Sequence, residues 1–313
     1  MTGSHLHMGE GREFDAIRTM LAQWGPRATG IGDDAAVLDL PPDERLVVST
    51  DACVDGVHFR REWLTAAEIG ERAACAALSD LAAMAATPVG LLLAIALPGG
   101  RDDDLAHLAR GVGAAAASAR CPIVGGNLTR AATLSLTITV LGTAVAPVGR
   151  DGAQLGDRLF VTGRLGGPAA ALRAWLAGNE PSRADRARFV APTPRLDEAR
   201  WLAQRGASAM IDISDGLLAD AAHLARASGV SLVLDLARLP CVAGVEPRDA
   251  ARSGEEYELL VALPNDAALD PDAFSRTFGI PLTAVGRVVA AGASPVQVEN
   301  GDEQGARGHD HLA

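Results

Sequence analysis

A chain of 313 residues, 48% hydrophobic and 21% charged, has the composition of a folded soluble protein and the length for two domains. Its net charge of −11 excludes a nucleic-acid binder with a basic surface, and no apolar run approaches the ~18 residues of a membrane span, the longest being Val89 to Pro98. All 28 Lys-or-Arg positions are arginine, which excludes a Walker A lysine, a Schiff-base lysine and a kinase strand lysine.

Met1 to Met8 (MTGSHLHM) is polar and is set aside from fold reasoning; no basic region followed by an apolar core marks a secretory signal. In chain order, Arg45 to Thr50 predicts a short strand ending at Asp51. Thr65 to Ala86 is alanine-rich, with Ile69, Cys75, Leu78 and Leu81 at helical spacing. Val89 to Leu97 predicts a buried strand. Asp103 to Ser118 predicts a helix with acids at its start, as the helix dipole favours. Thr133 to Leu141 alternates Leu134, Leu136, Ile138 and Val140 with Ser and Thr, the period of a half-buried strand.

A loop over Gly142 to Gly156 divides the domains, 11–146 from 147–313. Beyond it, strands are expected at Arg158 to Thr162, Ala209 to Ile213, Ser231 to Leu236, Tyr257 to Leu263 and Leu282 to Val289. Helices are expected at Pro168 to Ala177, Pro194 to Gly206 and Gly216 to Ala227. This is an α/β (α+β) chain in two similar halves, without the GxGxxG turn of a dinucleotide fold.

Asp33 and Asp34 sit in GIGDDAAV, Asp51 closes VVSTD beside Ser49 and Thr50, Asp80 interrupts SDLAAM, and Asp212 and Asp215 sit in IDISDG. Each interrupts an apolar context, where a lone carboxylate costs several kcal/mol unless a cation or hydrogen bonds compensate it. Asp215 also suits a helix N-cap and Asp34 a turn. Together the acids favour Mg²⁺, which takes oxygen ligands and bridges carboxylates to phosphates. No His or Cys pair has zinc spacing, and Cys53, Cys75, Cys121 and Cys241 lie far apart, as in a reduced, cytoplasmic protein. Gly125-Gly126 in PIVGGNLTR follows a short strand, as a loop for close approach to a phosphate would. Arg130 and Arg150 are candidate phosphate partners. His58, in DGVHF, reads as structural on its residues alone.

The series GREFDAI, GIGDDAAV, VSTD, DGVHF, LSDLAAMAATP, GGNLTR, LSLTITVLG, RDGAQLGDRLFVTG, APTPR, IDISDGL and SGEEYELL resembles the thiamine-monophosphate kinase family from about Gly11 to the last few residues. That family shares a superfamily with aminoimidazole ribonucleotide synthetase, selenophosphate synthetase and a carbamoyl-dehydrating hydrogenase maturation protein. The resemblance implies a two-domain aminoimidazole ribonucleotide synthetase-like fold. Its N-terminal sheet would form a barrel across a homodimer, and its C-terminal domain would be α/β. It implies ATP-dependent phosphorylation of thiamine monophosphate to the diphosphate with several Mg²⁺ ions.

Carried over by position, Asp34, Ser49, Thr50, Asp51, Asp80, Asp212 and Asp215 match metal ligands. Gly125, Gly126, Arg150 and Ser214 match ATP contacts, and His58 and Glu256 match substrate contacts. Three positions depart from the family pattern. Asn127 stands for a metal-binding Asp, Glu256 for an Asp, and His309 for a substrate-facing aromatic. The expected chemistry is direct in-line transfer without a protein base, because the acceptor phosphate is already ionised. Two alternatives stay open: a phosphotransferase for another phosphorylated small molecule, and a catalytically weak nucleotide-binding homologue.

Overall fold

The computed structural model describes residues 11–32 and 34–301, and His309 lies outside them. The chain divides into two compact units. One holds the residues up to Leu81 together with Ala86–Ala146; the other holds Ala82–Ala85 and the chain from Pro147 onward.

In the first unit the elements are α1 (Arg12–Trp24), β1 (Arg45–Val54), α2 (Ala66–Ala83), β2 (Thr87–Leu97), α3 (Asp104–Ser118), β3 (Ile123–Arg130) and β4 (Ser135–Ala144). The strands make one sheet in the order β1-β4-β2-β3, with β2 and β3 parallel and the other pairs antiparallel. It is open, with β1 and β3 at its edges, and no barrel closes among the described residues. Alternation fixes its two faces. Leu136, Ile138 and Val140 of β4 are buried with Leu91, Leu93 and Ile95 of β2. On the opposite face, Leu46 and Val48 of β1 are about half exposed, at 48% and 54%.

Helices α2 and α3 carry Ile69, Leu78, Leu81, Leu105, Leu108 and Val112 into this core. They approach backbone to backbone. A Cβ on Gly111 would strike the carbonyl oxygen of Ala67, and one on Gly70 that of Leu108. The α1 helix docks on α3 through Trp24, whose indole N–H donates to the Ala109 carbonyl at 2.9 Å.

The second unit runs β5 (Arg158–Thr162), α4 (Gly167–Leu176), α5 (Arg183–Val190), α6 (Leu196–Ala203), β6 (Ala209–Asp212), α7 (Leu217–Ser228), β7 (Ser231–Asp235), α8 (Pro247–Ala250), β8 (Leu259–Leu263), α9 (Pro271–Phe278), β9 (Leu282–Val289) and β10 (Val296–Glu299). Its sheet has the order β10-β7-β9-β5-β8-β6; only β10 and β7 are parallel. The core gathers Leu159, Val161, Ile211, Leu234, Leu260 and Val285 with Leu217 and Leu224 of α7. Every residue of β8 is buried, which explains why its sequence is a continuous apolar run.

The structure corrects several boundaries. Asp51 does not close β1, which continues to Val54 as the partner of β4. Gly125 and Gly126 lie inside β3 and not in a loop; the glycine is needed there because a Cβ on Gly126 would strike the Leu93 carbonyl of the neighbouring strand. The interdomain loop begins only after Ala144. Helices α1, α5 and α9 were not expected from periodicity. In α5 the sequence RADRARFV buries only Phe189 and Val190, too few for a stripe. The start of α9 was nonetheless readable: Asp270 accepts from the N–H groups of Asp272 and Ala273, with Pro271 at the first turn.

The Gly111→Ala variant tests the α2–α3 crossing. Alanine gains about 1 kcal/mol of helix propensity, but overpacking against rigid backbone costs about 1–3 kcal/mol and wins. The expected outcome is a lower urea midpoint for the first unit at unchanged secondary structure.

Candidate functional site

In the first unit, β1 places alternate side chains on opposite faces. Ser49 and Asp51 share the face that packs towards α2, and the Ser49 hydroxyl donates to the Asp80 carboxylate of α2 at 2.5 Å. The structure therefore joins Ser49 to Asp80, with Asp51 two residues along the same face. The Thr50 hydroxyl goes to the other face, 3.0 Å from the Thr139 hydroxyl of β4. Asp34 is exposed in the bend before β1, and Asn127 is exposed on β3 beside Gly125 and Gly126. As an edge strand, β3 has one side of its backbone outside the sheet ladder.

His58 ends a tight turn after β1. Its Nδ1 accepts the Val54 N–H at 3.1 Å, which orients the ring. Arg130 is already engaged: it pairs with Asp102 and donates to the Pro98 carbonyl at 3.3 Å. It lines a cavity of about 750 Å³ within this unit, with Arg12, Asp15, Thr19 and Thr129.

In the second unit the acids stand on one turn, between β6 and α7. Asp212 is the last residue of β6 and only 3% exposed. Asp215 is not the helix cap. The cap position is Gly216, without a side-chain hydrogen bond, and the capping group comes from within the helix. Asp220 Oδ2 accepts from the N–H groups of Ser214, Asp215 and Gly216, at 3.0, 3.1 and 3.1 Å. Burial pushes the Asp220 carboxyl up to about 8, and the charges of Asp212 and Asp215 add to the rise.

The segment Ser253 to Leu259 holds this turn from the other side. Ile213 donates to the Glu258 carbonyl at 2.8 Å, and its own carbonyl accepts from Glu256 and Tyr257 at 3.1 and 2.9 Å. The Ser214 carbonyl accepts from Glu255 at 2.7 Å. To make these bonds Glu255 and Tyr257 adopt left-handed backbone, with φ of 62° and 52°. Non-glycine residues in that region cost of order 1–3 kcal/mol each. The segment is anchored by Glu258, which takes Arg195 in a two-point pair at 2.8 and 2.5 Å and the Thr162 hydroxyl at 2.7 Å.

Glu256 is buried, at 6% exposure. Its Oε1 accepts the Gly166 N–H at 2.5 Å beside the start of α4, while Oε2 is buried without a hydrogen-bond partner. Burial raises its pKa to about 8. Arg150 has an exposed side chain, and its carbonyl accepts from Ser228 at 2.7 Å. Sequence reasoning missed Asp220, Arg195 and Glu258, although SDGLLAD, APTPR and SGEEYELL carry them.

Among the described residues no three His, Cys, Asp or Glu side chains form a ready metal cage. The donors present are carboxylate and hydroxyl oxygens in pairs, Ser49–Asp80 in one unit and Asp212 with Asp215 in the other. Paired hard oxygens fit Mg²⁺, which commonly takes one or two carboxylates and completes its shell with water and phosphate.

Two family models match, "AIR synthase related protein, N-terminal domain" over residues 32–144 and the corresponding C-terminal domain over residues 154–299. A thiamine-monophosphate kinase of Rhodopirellula baltica is 38% identical over 283 residues, covering 84% of each chain. The crystal structure of thiamine-monophosphate kinase from Stenotrophomonas maltophilia is 35% identical with a TM-score of 0.80, covering 94% of this chain and 97% of its own. AaThiL complexed with AMPPCP and TMP is 31% identical with a TM-score of 0.76, covering 93% and 94%.

Glu256→Gln gives a stability test. With its pKa raised from 4.5 to about 8, folded Glu256 keeps a proton that the unfolded chain has released. Its contribution is therefore fully present below pH 4.5 and is lost as pH rises towards about 8. Urea unfolding of the metal-free protein at pH 5 and pH 8 should show a smaller loss of stability in the variant than in the wild type.

Proposed function

The chain belongs to the thiamine-monophosphate kinase family, and we propose that it performs that reaction by direct in-line transfer assisted by Mg²⁺. Its activity is ATP-dependent phosphorylation of thiamine monophosphate. The reading of the site rests on one observation above the others: hard-oxygen side chains gather on β1–α2 and on the β6–α7 turn, where no lysine is available to meet phosphate charge.

In this mechanism the acceptor phosphate is its own nucleophile, so positioning and charge neutralisation are the work left to the protein. Asp34, Ser49, Asp51, Asp80 and Asn127 would hold metal in one unit, and Asp212 and Asp215 in the other. Thr50 would join only through its backbone, because its hydroxyl goes to Thr139. Mg²⁺ bound by these groups supplies charge neutralisation on the transferred phosphoryl group. The outer backbone of β3 at Gly125 and Gly126, the exposed Arg150 guanidinium and the Ser214 hydroxyl would contact ATP. The N–H of Ser214 is excluded from that role, because Asp220 already takes it. His58, oriented through its Nδ1, would meet the acceptor. Glu256 is buried, so a substrate contact from its carboxylate would need the Ser253–Leu259 segment to shift.

The first sheet supports a homodimer. Edge strand β1 has one side of its backbone outside the sheet ladder, and Leu46 and Val48 leave apolar surface beside it. Pairing with a second copy would cover both and close a barrel. A cytoplasmic setting is supported by the sparse cysteines, of which Cys53, Cys75 and Cys121 are buried.

Purified protein should form thiamine diphosphate only when ATP, Mg²⁺ and thiamine monophosphate are all present. Asp51→Asn should reduce product to background with the fold intact by circular dichroism; near-normal turnover in that variant would overturn the metal assignment. Asn127→Asp restores a charged ligand and should lower the Mg²⁺ concentration for half-maximal rate by about tenfold.

A further inference from the structure

The turn between β6 and α7 has the form of an anion site that the protein has filled with its own side chain. Three successive N–H groups at a helix start, those of Ser214, Asp215 and Gly216, converge on one point, as they do where phosphate binds. That point is occupied by a single oxygen, Oδ2 of Asp220, 2% exposed and one turn into α7. The remaining N–H of the turn, from Ile213, is bonded to Glu258, and the Ile213 and Ser214 carbonyls are bonded to the Glu255–Tyr257 segment. From Ile213 to Gly216 no backbone N–H is left for a ligand, and the polar side chains on the turn are those of Asp212, Ser214 and Asp215.

We propose that Asp220 is the positioning residue for the Asp212–Asp215 pair: its Oδ2, by accepting the three amides, fixes the turn and takes the place a phosphate would occupy at the helix start. The inference rests on the metal-assisted reading of the site. Asp220 is only 2% exposed. It acts through the three amides, which set where the two flanking carboxylates stand. A phosphate at this helix start would bring its charge against Asp212 and Asp215. With Asp220 in that place, the acids left on the turn are the flanking Asp212 and Asp215.

The test uses the full chain with Mn²⁺ as a spectroscopic substitute for Mg²⁺, its binding followed by electron paramagnetic resonance. Three variants separate hydrogen bonding from charge. Asp220→Asn keeps an acceptor oxygen for the three amides and loses the charge. Asp220→Glu keeps the charge and moves the oxygen by one methylene. Asp220→Ala loses both.

Losing a supporting group of this kind weakens metal binding about 10–100-fold, the loss expected for Asp220→Ala and Asp220→Glu, with Asp220→Asn within about threefold of wild type. Hydrogen exchange at Ser214 to Gly216 should be faster in the Ala and Glu variants and unchanged in the Asn variant. In the kinase assay the Mg²⁺ requirement should rise without a matching change in KM for thiamine monophosphate.

Wild-type affinity in a folded Asp220→Ala protein would overturn the proposal. So would an Asn variant as weak as Ala beside a wild-type-like Glu variant, because charge would then be the operative property. If Asp220→Ala does not fold, the Asn and Glu variants decide by the same opposite expectations. A wild-type chain that binds Mn²⁺ with this pattern but makes no thiamine diphosphate would refute the kinase reading and leave the positioning role standing. A chain that binds no Mn²⁺ would refute the positioning role.

Discussion

Carboxylates that must stay in apolar surroundings are the constraint on which both halves of this protein are built. An ionised carboxylate loses several kcal/mol on burial unless neighbours return it. In the second unit that return comes from the backbone. The start of α7 lends three amides to Asp220, the Ser253–Leu259 segment fastens the same turn by donating to the Ile213 and Ser214 carbonyls and accepting from the Ile213 N–H, and Arg195 secures the segment through Glu258. The cost shows where compensation is incomplete: Asp220 and Glu256 are both driven far above the usual carboxylate range.

The first unit solves the same problem with a side chain. Asp80 lies in a helix whose other residues are chiefly Ala and Leu, and the Ser49 hydroxyl reaches it from β1. Strand periodicity then decides function. Ser49 and Asp51 are two apart and share a face, while Thr50 between them is carried to the face where Leu46 and Val48 remain uncovered. One strand thus serves a polar site on one side and an apolar surface on the other.

Much of this was legible in the sequence. The alternation in Thr133 to Leu141 and the apolar run from Val89 to Leu97 predicted β4 and β2, and β5 and β9 fall at the residues read from their β-rich runs. The acids were legible because each breaks an apolar context. What was hidden depended on contacts between distant residues. Nothing local in SDGLLAD says that its second Asp turns back onto three amides of its own helix start. Nothing local in SGEEYELL says that Glu256 bonds Gly166, 90 residues earlier. The glycines of β3 misled for a related reason: glycine marks close approach, and here the approaching group is a neighbouring strand.

The left-handed residues Glu255 and Tyr257 carry one more consequence, for how this protein fails. Backbone strain of order 1–3 kcal/mol at each weakens the segment that contains them relative to the sheet around it. Local opening draws on the least stable segments first, well below the free energy of complete unfolding. When that segment opens locally, the carboxylates it fastens lose their geometry even where β5, β8 and β9 stay paired. Loss of activity on warming is then expected to precede melting of the sheet.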